Sequence, residues 1–117
     1  MNIKPILIIP GQTKSIFFEI FFKSIKNNKF KDSIILISSL RLLKSQMKKF
    51  NFKKKIRLID LEKLKSYKLN NNSINIINVP ITIHKNYIQN CFETAFKIIR
   101  GGFSNKLING PINKSDF

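Results

Sequence analysis

The sequence is organised around five short runs in which apolar residues stand at consecutive positions. A strand that faces water on one side alternates apolar and polar residues, and these runs do not alternate. Continuous apolar strands are typical of a parallel sheet that is covered on both faces. The runs are ILII at 6–9, IILI at 34–37, KKIRLID at 54–60, INIINVPI at 74–81 and KLING at 106–110.

Three longer stretches between these runs repeat apolar residues every three or four positions, which predicts helices with one buried side. Lysines occupy the opposite side of the second helix, and Gly101-Gly102 would end the third. The predicted buried sides contain Ile16, Phe17, Ile20, Phe21 and Ile25 in the first helix, Leu40, Leu43, Met47 and Phe50 in the second, and Tyr87, Cys91, Ala95, Ile98 and Ile99 in the third.

The ends of these helices are marked by residues that cap or interrupt helical structure. Thr13 or Ser15 could cap the first helix, which Asn27-Asn28 would end, and Ser38 or Ser39 could cap the second. Residues 61–73, which include LNNNS, are rich in lysine and asparagine and form the best candidate for a loop.

The alternation of strands and helices predicts an α/β layered fold, with a mostly parallel sheet and helices on both faces. We find no internal repeat and no linker, so residues 1–117 are expected to form one unit. The length suffices for one small domain or for part of a larger one.

The composition is apolar enough for a core, at 43% hydrophobic residues, and it is strongly basic, with a formal net charge of +16. Such a charge raises the prospect of a nucleic-acid partner. However, only three of the 22 basic residues are arginines, the residue that reads phosphates and bases best. The abundance of Ile, Asn, Phe and Lys, all of which have A/T-rich codons, offers a simpler explanation for the lysines.

Other features bear on location and on metal chemistry. No apolar run approaches the ~20 residues of a membrane span, and the N-terminus lacks a signal-peptide cleavage site. A single cysteine, Cys91, fits the cytoplasm and predicts a buried, inert thiol. The only histidine, His84, has no other metal-binding residue close to it in sequence, so no local metal site is expected.

Two turns follow predicted strands and are candidates for a binding site. Asn109-Gly110-Pro111 ends the last strand, where glycine permits close backbone approach, proline stiffens the exit and Lys114 could hold an anion. Pro10-Gly11 ends the first strand, and Glu19 lies in the helix after it. Neither turn matches GxGxxG or GxxxxGK[ST].

Taken together, these segments resemble the N-terminal part of the 4-hydroxythreonine-4-phosphate dehydrogenase family. IIPGQTKSIFFEI is similar to that family's P-G-[DE]-P-A-G-I-G-P-E-[IL], with Pro10, Gly11, Ile16, Glu19 and Ile20 in register. The helix NYIQNCFETAFKIIRGG and the final LINGPINKSDF, which is similar to [IV]-[TN]-[GA]-P-[IV]-[HNS]-K, follow in the same order. The chain departs from the family at 13–18, where two prolines and two glycines are replaced.

The resemblance implies an enzyme of pyridoxal-phosphate biosynthesis with the two-domain fold of isocitrate and isopropylmalate dehydrogenases. Such an enzyme uses NAD or NADP and a divalent metal (Zn, Mg or Co) to oxidise and decarboxylate a phosphorylated hydroxy-amino acid, and it is a homodimer. Gly110, Pro111, Lys114 and Glu19 would line its cleft, without a GxGxxG cofactor turn.

The resemblance also implies that residues 1–117 are an N-terminal portion, because family members are about three times as long. The metal-binding histidines and the residues that grip phosphate would lie beyond Phe117, so this portion alone is expected to be inactive, with no metal bound. Two alternatives remain: a stand-alone domain without catalysis, and a small basic nucleic-acid-binding protein that uses residues 44–57, in which Phe50 and Phe52 interrupt the lysines.

Overall fold

The computed structural model describes residues 4–11, 16–27, 30–82 and 86–110. The predictions for Thr13, Ser15, Asn28, His84, Pro111 and Lys114 lie outside these residues. In chain order the elements are β1 (Ile6–Ile9), α1 (Phe17–Asn27), β2 (Ile34–Ser38), α2 (Leu40–Lys49), β3 (Ile56–Leu58), a 3₁₀ helix (Leu61–Ser66), β4 (Ile74–Asn78), α3 (Tyr87–Arg100) and β5 (Lys106–Asn109). None of the helices in these ranges is long and apolar enough to cross a membrane.

The strands form one sheet in the order β3-β4-β2-β1-β5, and each neighbouring pair is parallel. Residues that alternate along each central strand enter two separate cores. Ile8, Leu36 and Ile76 pack with α1 and α2 on one face, which we call the α1–α2 face. Leu7, Ile35 and Ile77 pack with α3 on the other, the α3 face. Burial on both faces explains the uninterrupted apolar runs, and the predicted fold class is confirmed.

The connections follow the single hand expected of parallel strands. Those through α1 and α2 move from β1 to β2 and from β2 to β3, towards the β3 edge. Those through the 3₁₀ helix and α3 move from β3 to β4 and from β4 to β5, in the opposite direction, and both elements pack on the opposite face. The carboxyl end of β1 therefore lies between α1 on one face and α3 on the other.

The predicted buried side of α1 was partly wrong. Ile16 and Ile20 are 62% and 53% exposed, whereas Phe18 and Phe22 are each 3% exposed. The sequence SIFFEIFF is apolar almost all round, so the helical period alone does not select a side. The tertiary partners select it: the ring of Phe22 stacks on Phe52 with 4.6 Å between centroids. In α2, Leu43 and Met47 are buried as predicted, but Phe50 at the C-cap is 38% exposed.

The last strand is only partly buried, contrary to the prediction of a buried strand for Leu107 and Ile108, and Leu107 packs at the margin of the core on the α3 face. β5 pairs with β1 alone among the described strands, and Ile108 is 54% exposed. Leu58, on β3 at the other edge, is similarly exposed at 56%. The sequence predicted these strands correctly, but it could not show which of them lie at the edges of the sheet. The order of the strands depends on pairing between segments that are distant in sequence.

Residues 61–73 are only partly a loop. Leu61–Ser66 form a 3₁₀ helix in which Asp60 Oδ1 accepts a hydrogen bond from Glu62 N–H (3.0 Å) and Leu64 is buried. The predicted cap at Ser39 is confirmed, since Ser39 Oγ accepts from Leu42 N–H.

The asparagine-rich part of this segment is tied to the start of β2. The Asn71 side chain accepts from Ile34 N–H (2.9 Å) and donates to Asp32 C=O (2.9 Å), as a backbone peptide would. The buried Asn75 side chain donates to Ile34 C=O and to Asn70 C=O. These amides stabilise a connection whose composition is typical of a loop.

Candidate functional site

The two turns that the sequence marked as candidates meet at the carboxyl edge of the sheet. Ile9 at the end of β1 lies in register with Asn109 at the end of β5, so the Pro10-Gly11 turn and the Asn109-Gly110 turn are neighbours. In parallel α/β sheets the carboxyl edge, outside the strand ends, is the usual place for a ligand.

The turns pack directly against each other at Gly110. Its N–H donates to Ile9 C=O at 2.7 Å. A Cβ at this position would overlap the carbonyl oxygen of Pro10 and would lie 2.8 Å from Phe17 Cδ1. The predicted reason for glycine, a close backbone approach, is therefore present, and the group approached is the chain's own Pro10.

The first turn is fixed on its other side by α1. Gly11 has φ of +84°, a conformation that favours glycine, and Pro10 is fully buried. Phe17, the first residue of α1, contacts the position of Gly110. Both turns are thus held by packing, which gives the edge a defined backbone shape.

The other candidate residues are placed less directly. Glu19 lies in the first turn of α1, where its side chain is 45% exposed and accepts a hydrogen bond from Lys23 Nζ at 3.5 Å. Asn109 Nδ2 donates to Gly110 C=O at 3.1 Å. Pro111 and Lys114 follow this turn in sequence but lie outside the described residues, so their places in a site stay predictions.

A polar cluster occupies the same edge at the ends of β2 and β4. The Tyr87 hydroxyl accepts from Ser39 N–H (2.9 Å) and shares a hydrogen bond with Ser38 Oγ (3.2 Å). Asn78 Oδ1 accepts from Leu40 N–H (2.8 Å). The N-terminus of α2 is an obvious place for an anion, yet these contacts already use its first backbone donors. The cluster therefore anchors α3 and α2 rather than forming a phosphate site.

Burial keeps the Tyr87 hydroxyl and the neighbouring Cys91 thiol uncharged. Burial raises the pKa of Tyr87 to about 12, with a further contribution from the nearby Cys91 thiol. Burial also raises the pKa of Cys91 to about 12, against the lowering effect of a hydrogen bond with Tyr87. Cys91 is fully buried, as predicted. A thiol with a raised pKa is a poor nucleophile at neutral pH.

This cluster was missed by sequence reasoning, which assigned Tyr87 to an apolar stripe and the serines to capping. The available signal was the pair Ser38-Ser39 directly after a buried strand. It shows a polar strand end but does not identify the residue that contacts it 48 positions later in the chain.

The described residues include no group of three or more His, Cys, Asp or Glu side chains that could hold a metal ion. The described residues therefore supply a sheet edge whose backbone is fixed by the two turns, but they do not supply the ligands of a catalytic metal.

Known proteins match this chain when structures are compared, but not when sequences are compared. No protein-family model and no curated protein sequence matches the chain. Several solved structures match it closely in fold, and three of them illustrate the agreement. A 4-hydroxythreonine-4-phosphate dehydrogenase from Klebsiella pneumoniae has a TM-score of 0.79 at 16% identity, covering 97% of this chain and 38% of that chain. A Salmonella typhimurium protein to which the same activity has been assigned scores 0.78 at 19% identity, covering 97% and 39%. A Burkholderia phymatum enzyme of the same name scores 0.75 at 15% identity, covering 99% and 38%.

The agreement extends over almost the whole chain, whereas the chain spans less than two-fifths of each neighbour's length. At this level of sequence identity the match establishes the fold. The chain therefore has the α/β fold of a portion of the 4-hydroxythreonine-4-phosphate dehydrogenases.

Proposed function

We propose that the chain forms part of a dehydrogenase that oxidises and decarboxylates 4-phosphohydroxy-L-threonine in pyridoxal 5'-phosphate biosynthesis. The supporting observation is that the Asn109-Gly110 turn, where the family-like segment from Gly110 to Lys114 begins in sequence, packs against the Pro10-Gly11 turn at the carboxyl edge of a sheet with this fold. Two motifs that are far apart in sequence thus lie side by side where such enzymes are expected to have a cleft.

In this function the chain would supply one wall of the cleft. The closely packed turns at Pro10 and Gly110 would fix the backbone of that wall as far as Gly110. The Lys114 ammonium would attract an anionic group of the substrate, which gives a charge-assisted contact. Glu19, in the first turn of α1, would lie at the margin of this wall.

A nicotinamide cofactor, NAD or NADP, would accept a hydride, and a divalent metal (Zn, Mg or Co) would acidify the substrate hydroxyl. The described residues do not fit a metal site, because no cluster of suitable ligands occurs among them. The ligands would have to come from other parts of a longer enzyme, and we derive no step through the metal. On this proposal the 117 residues alone are inactive, and the whole enzyme is a cytoplasmic homodimer.

A genetic test addresses the function directly. Deleting the gene in its source organism is expected to make growth depend on added pyridoxal or pyridoxine, and the intact gene should restore growth without the vitamin. An allele with Lys114→Ala should restore growth poorly. Lys106→Ala is the matched control, because Lys106 is a surface residue paired with Asp32 and should restore growth fully. Growth of the deletion strain without the vitamin would contradict the proposal.

The nucleic-acid alternative rests on the net charge of +16 and on residues 44–57. Within that segment the Phe52 ring is stacked on Phe22, and Leu43 and Met47, which flank or interrupt its lysines, are buried. Of the two rings in the segment, Phe52 is thus engaged beside the core, whereas Phe50 is 38% exposed, which leaves charge and one partly exposed ring for contact. Filter binding to DNA and RNA over a range of salt concentrations separates the two proposals, since tight binding at physiological salt with a steep salt slope would favour nucleic acid.

A further inference from the structure

The turn after β5 contains the only Asn-Gly pair in the sequence, Asn109-Gly110. Asparagine is a chemically labile residue, and it is most labile before glycine, which has no side chain to obstruct the reaction. In an open chain the backbone nitrogen of the glycine attacks the side-chain carbonyl carbon of the asparagine, so that a C–N bond forms and ammonia leaves with the proton of that nitrogen. Water then opens the resulting cyclic imide to aspartate or to isoaspartate.

The structure keeps the attacking nitrogen occupied. Gly110 N–H donates a hydrogen bond of 2.7 Å to Ile9 C=O, and Asn109 lies in register with Ile9 through the parallel pairing of β1 and β5. A base must remove that proton for the nitrogen to attack, and the Ile9 carbonyl oxygen occupies the place from which a base would approach. The reaction therefore cannot begin until this hydrogen bond opens.

The backbone conformation holds the two reacting atoms apart. Ring closure requires the Asn109 Cβ and the Gly110 nitrogen to be nearly eclipsed about the Cα–C bond of Asn109. Asn109 is the last residue of β5, and the extended conformation of a parallel strand rotates these two atoms away from each other. The Asn109 side-chain amide is also engaged, since its Nδ2 donates to Gly110 C=O at 3.1 Å.

The peptide between Asn109 and Gly110 has no space in which to rotate towards the reactive geometry. A Cβ at Gly110 would overlap the Pro10 carbonyl oxygen and would lie 2.8 Å from Phe17 Cδ1, so atoms of the first turn and of α1 fill this side of the peptide. Pro10 is itself fully buried. The reactive geometry is therefore reached only when the end of β5 moves away from β1.

We propose that Asn109-Gly110 is a latent deamidation site, which the pairing of β1 with β5 keeps inactive and which becomes reactive when β5 opens. The rate then equals that of an unstructured chain multiplied by the fraction of molecules in which β5 is open. The isoaspartate product has a backbone that is longer by one methylene group, which displaces Gly110 from its hydrogen bond to Ile9 and from its close contact with Pro10. A turn that has reacted therefore does not close again. This inference is independent of the enzymatic proposal.

Mass spectrometry of the tryptic peptide 107–114, which Lys106 and Lys114 delimit, measures the reaction at Asn109. The full chain and a synthetic peptide of residues 107–114 are incubated in the same neutral buffer, and fragment ions distinguish Asn109 from Asn113. Asn109 in the folded chain should react more than about tenfold slower than in the peptide, because opening paired strands costs free energy. The full chain in concentrated urea should react as fast as the peptide. Equal rates in the folded chain and the peptide, or a chain that stays slow in urea, would overturn the proposal.

Ser104→Ala loosens β5 without altering the reacting residues. The buried Ser104 hydroxyl donates to Pro5 C=O at 2.6 Å, which ties the segment before β5 to the segment before β1. Loss of this hydrogen bond should raise the rate at Asn109 about fivefold. Ser66→Ala is the matched control, because the Ser66 hydroxyl also donates to a backbone carbonyl at 2.6 Å, that of Lys63, but at an exposed position in the 3₁₀ helix. Far-UV circular dichroism checks that both variants fold, and equal rates in the two variants would overturn the proposal.

Urea unfolding of the reacted chain tests whether the turn closes again. Asn109→Asp carries the new negative charge on an unaltered backbone, and because Asn109 is exposed this variant should unfold near the wild-type midpoint. The isoaspartate form, prepared by incubation in urea and separated by reversed-phase chromatography, should unfold at a lower urea concentration. Equal midpoints for Asn109→Asp and the isoaspartate form would show that the reacted turn closes and would overturn the proposal.

Discussion

Replacing Gly110 with alanine tests how tightly the two turns of the candidate site are joined. The added Cβ would overlap the Pro10 carbonyl oxygen and would lie 2.8 Å from both Pro10 C and Phe17 Cδ1. Pro10 is fully buried and its backbone is fixed between β1 and the Gly11 turn, so the carbonyl carbon and oxygen of Pro10 cannot move aside at low cost. The end of β5 must therefore move away from β1.

The size of the effect follows from three contributions. Overpacking of a well-filled site costs about 1–3 kcal/mol. Loss of the Gly110 N–H hydrogen bond to Ile9, which is 2.7 Å long, adds about 1 kcal/mol. The lower entropy of the unfolded chain with alanine returns about 0.4–1 kcal/mol. The expected net loss in the free energy of unfolding is roughly 1–3.5 kcal/mol.

Urea unfolding followed by far-UV circular dichroism measures this loss. With a denaturant slope of about 2 kcal/mol/M, the midpoint should fall by about 0.5–2 M. Gly101→Ala is the matched control, because its Cβ would meet the Phe103 ring at 3.0 Å, and a ring can turn away. The reasoning is refuted if Gly110→Ala lies within about 0.5 kcal/mol of wild type, the usual range of neutral surface substitutions, or if both variants lose the same stability.

Three further outcomes are expected. Tyr87→Phe should lower the free energy of unfolding by about 1–3 kcal/mol, because it leaves the buried Ser39 N–H at the start of α2 without its acceptor. Tyr67→Phe should cost less, because the Tyr67 hydroxyl accepts a hydrogen bond at an exposed position. Urea unfolding of both variants compares the two losses. The free energy of unfolding should fall as pH rises from about 9 towards 12, because folding raises the pKa values of Cys91 and Tyr87 to about 12 and the unfolded chain therefore loses these protons at lower pH. Urea midpoints measured against pH should fall less steeply in Cys91→Ala than in wild type. An unchanged slope in that variant would contradict this origin. Asn71→Ala should lower the free energy of unfolding by about 2 kcal/mol, since it removes two hydrogen bonds between the Asn71 side chain and the backbone at the start of β2. Replacing the exposed Asn72 with alanine should leave stability unchanged. Thermal unfolding of both variants shows whether Asn71 stabilises the fold through these bonds.

Prediction from sequence worked best where one local pattern allowed a single structural outcome. The run IILI required burial on both sides, and β2 is buried at all five of its positions. Ser39 was one of two adjacent candidates for a cap and is the one that caps α2. The motif at Gly110 predicted a close backbone approach, and the structure contains one. In each case the pattern that carries the prediction lies within a few residues of the chain.

The tertiary structure decided the features that depend on partners far away in sequence. SIFFEIFF offers apolar side chains all round α1, and contact with Phe52 selected the side that is buried. The strand order placed β5 at an edge and exposed Ile108, although the apolar pair Leu107-Ile108 had predicted a buried strand. The group that Gly110 approaches is Pro10, a hundred positions earlier, because parallel pairing brings the ends of β1 and β5 together. Local sequence thus determined the elements and their caps, while packing between distant segments determined which surfaces are buried, which edge is open and which turns form the candidate site.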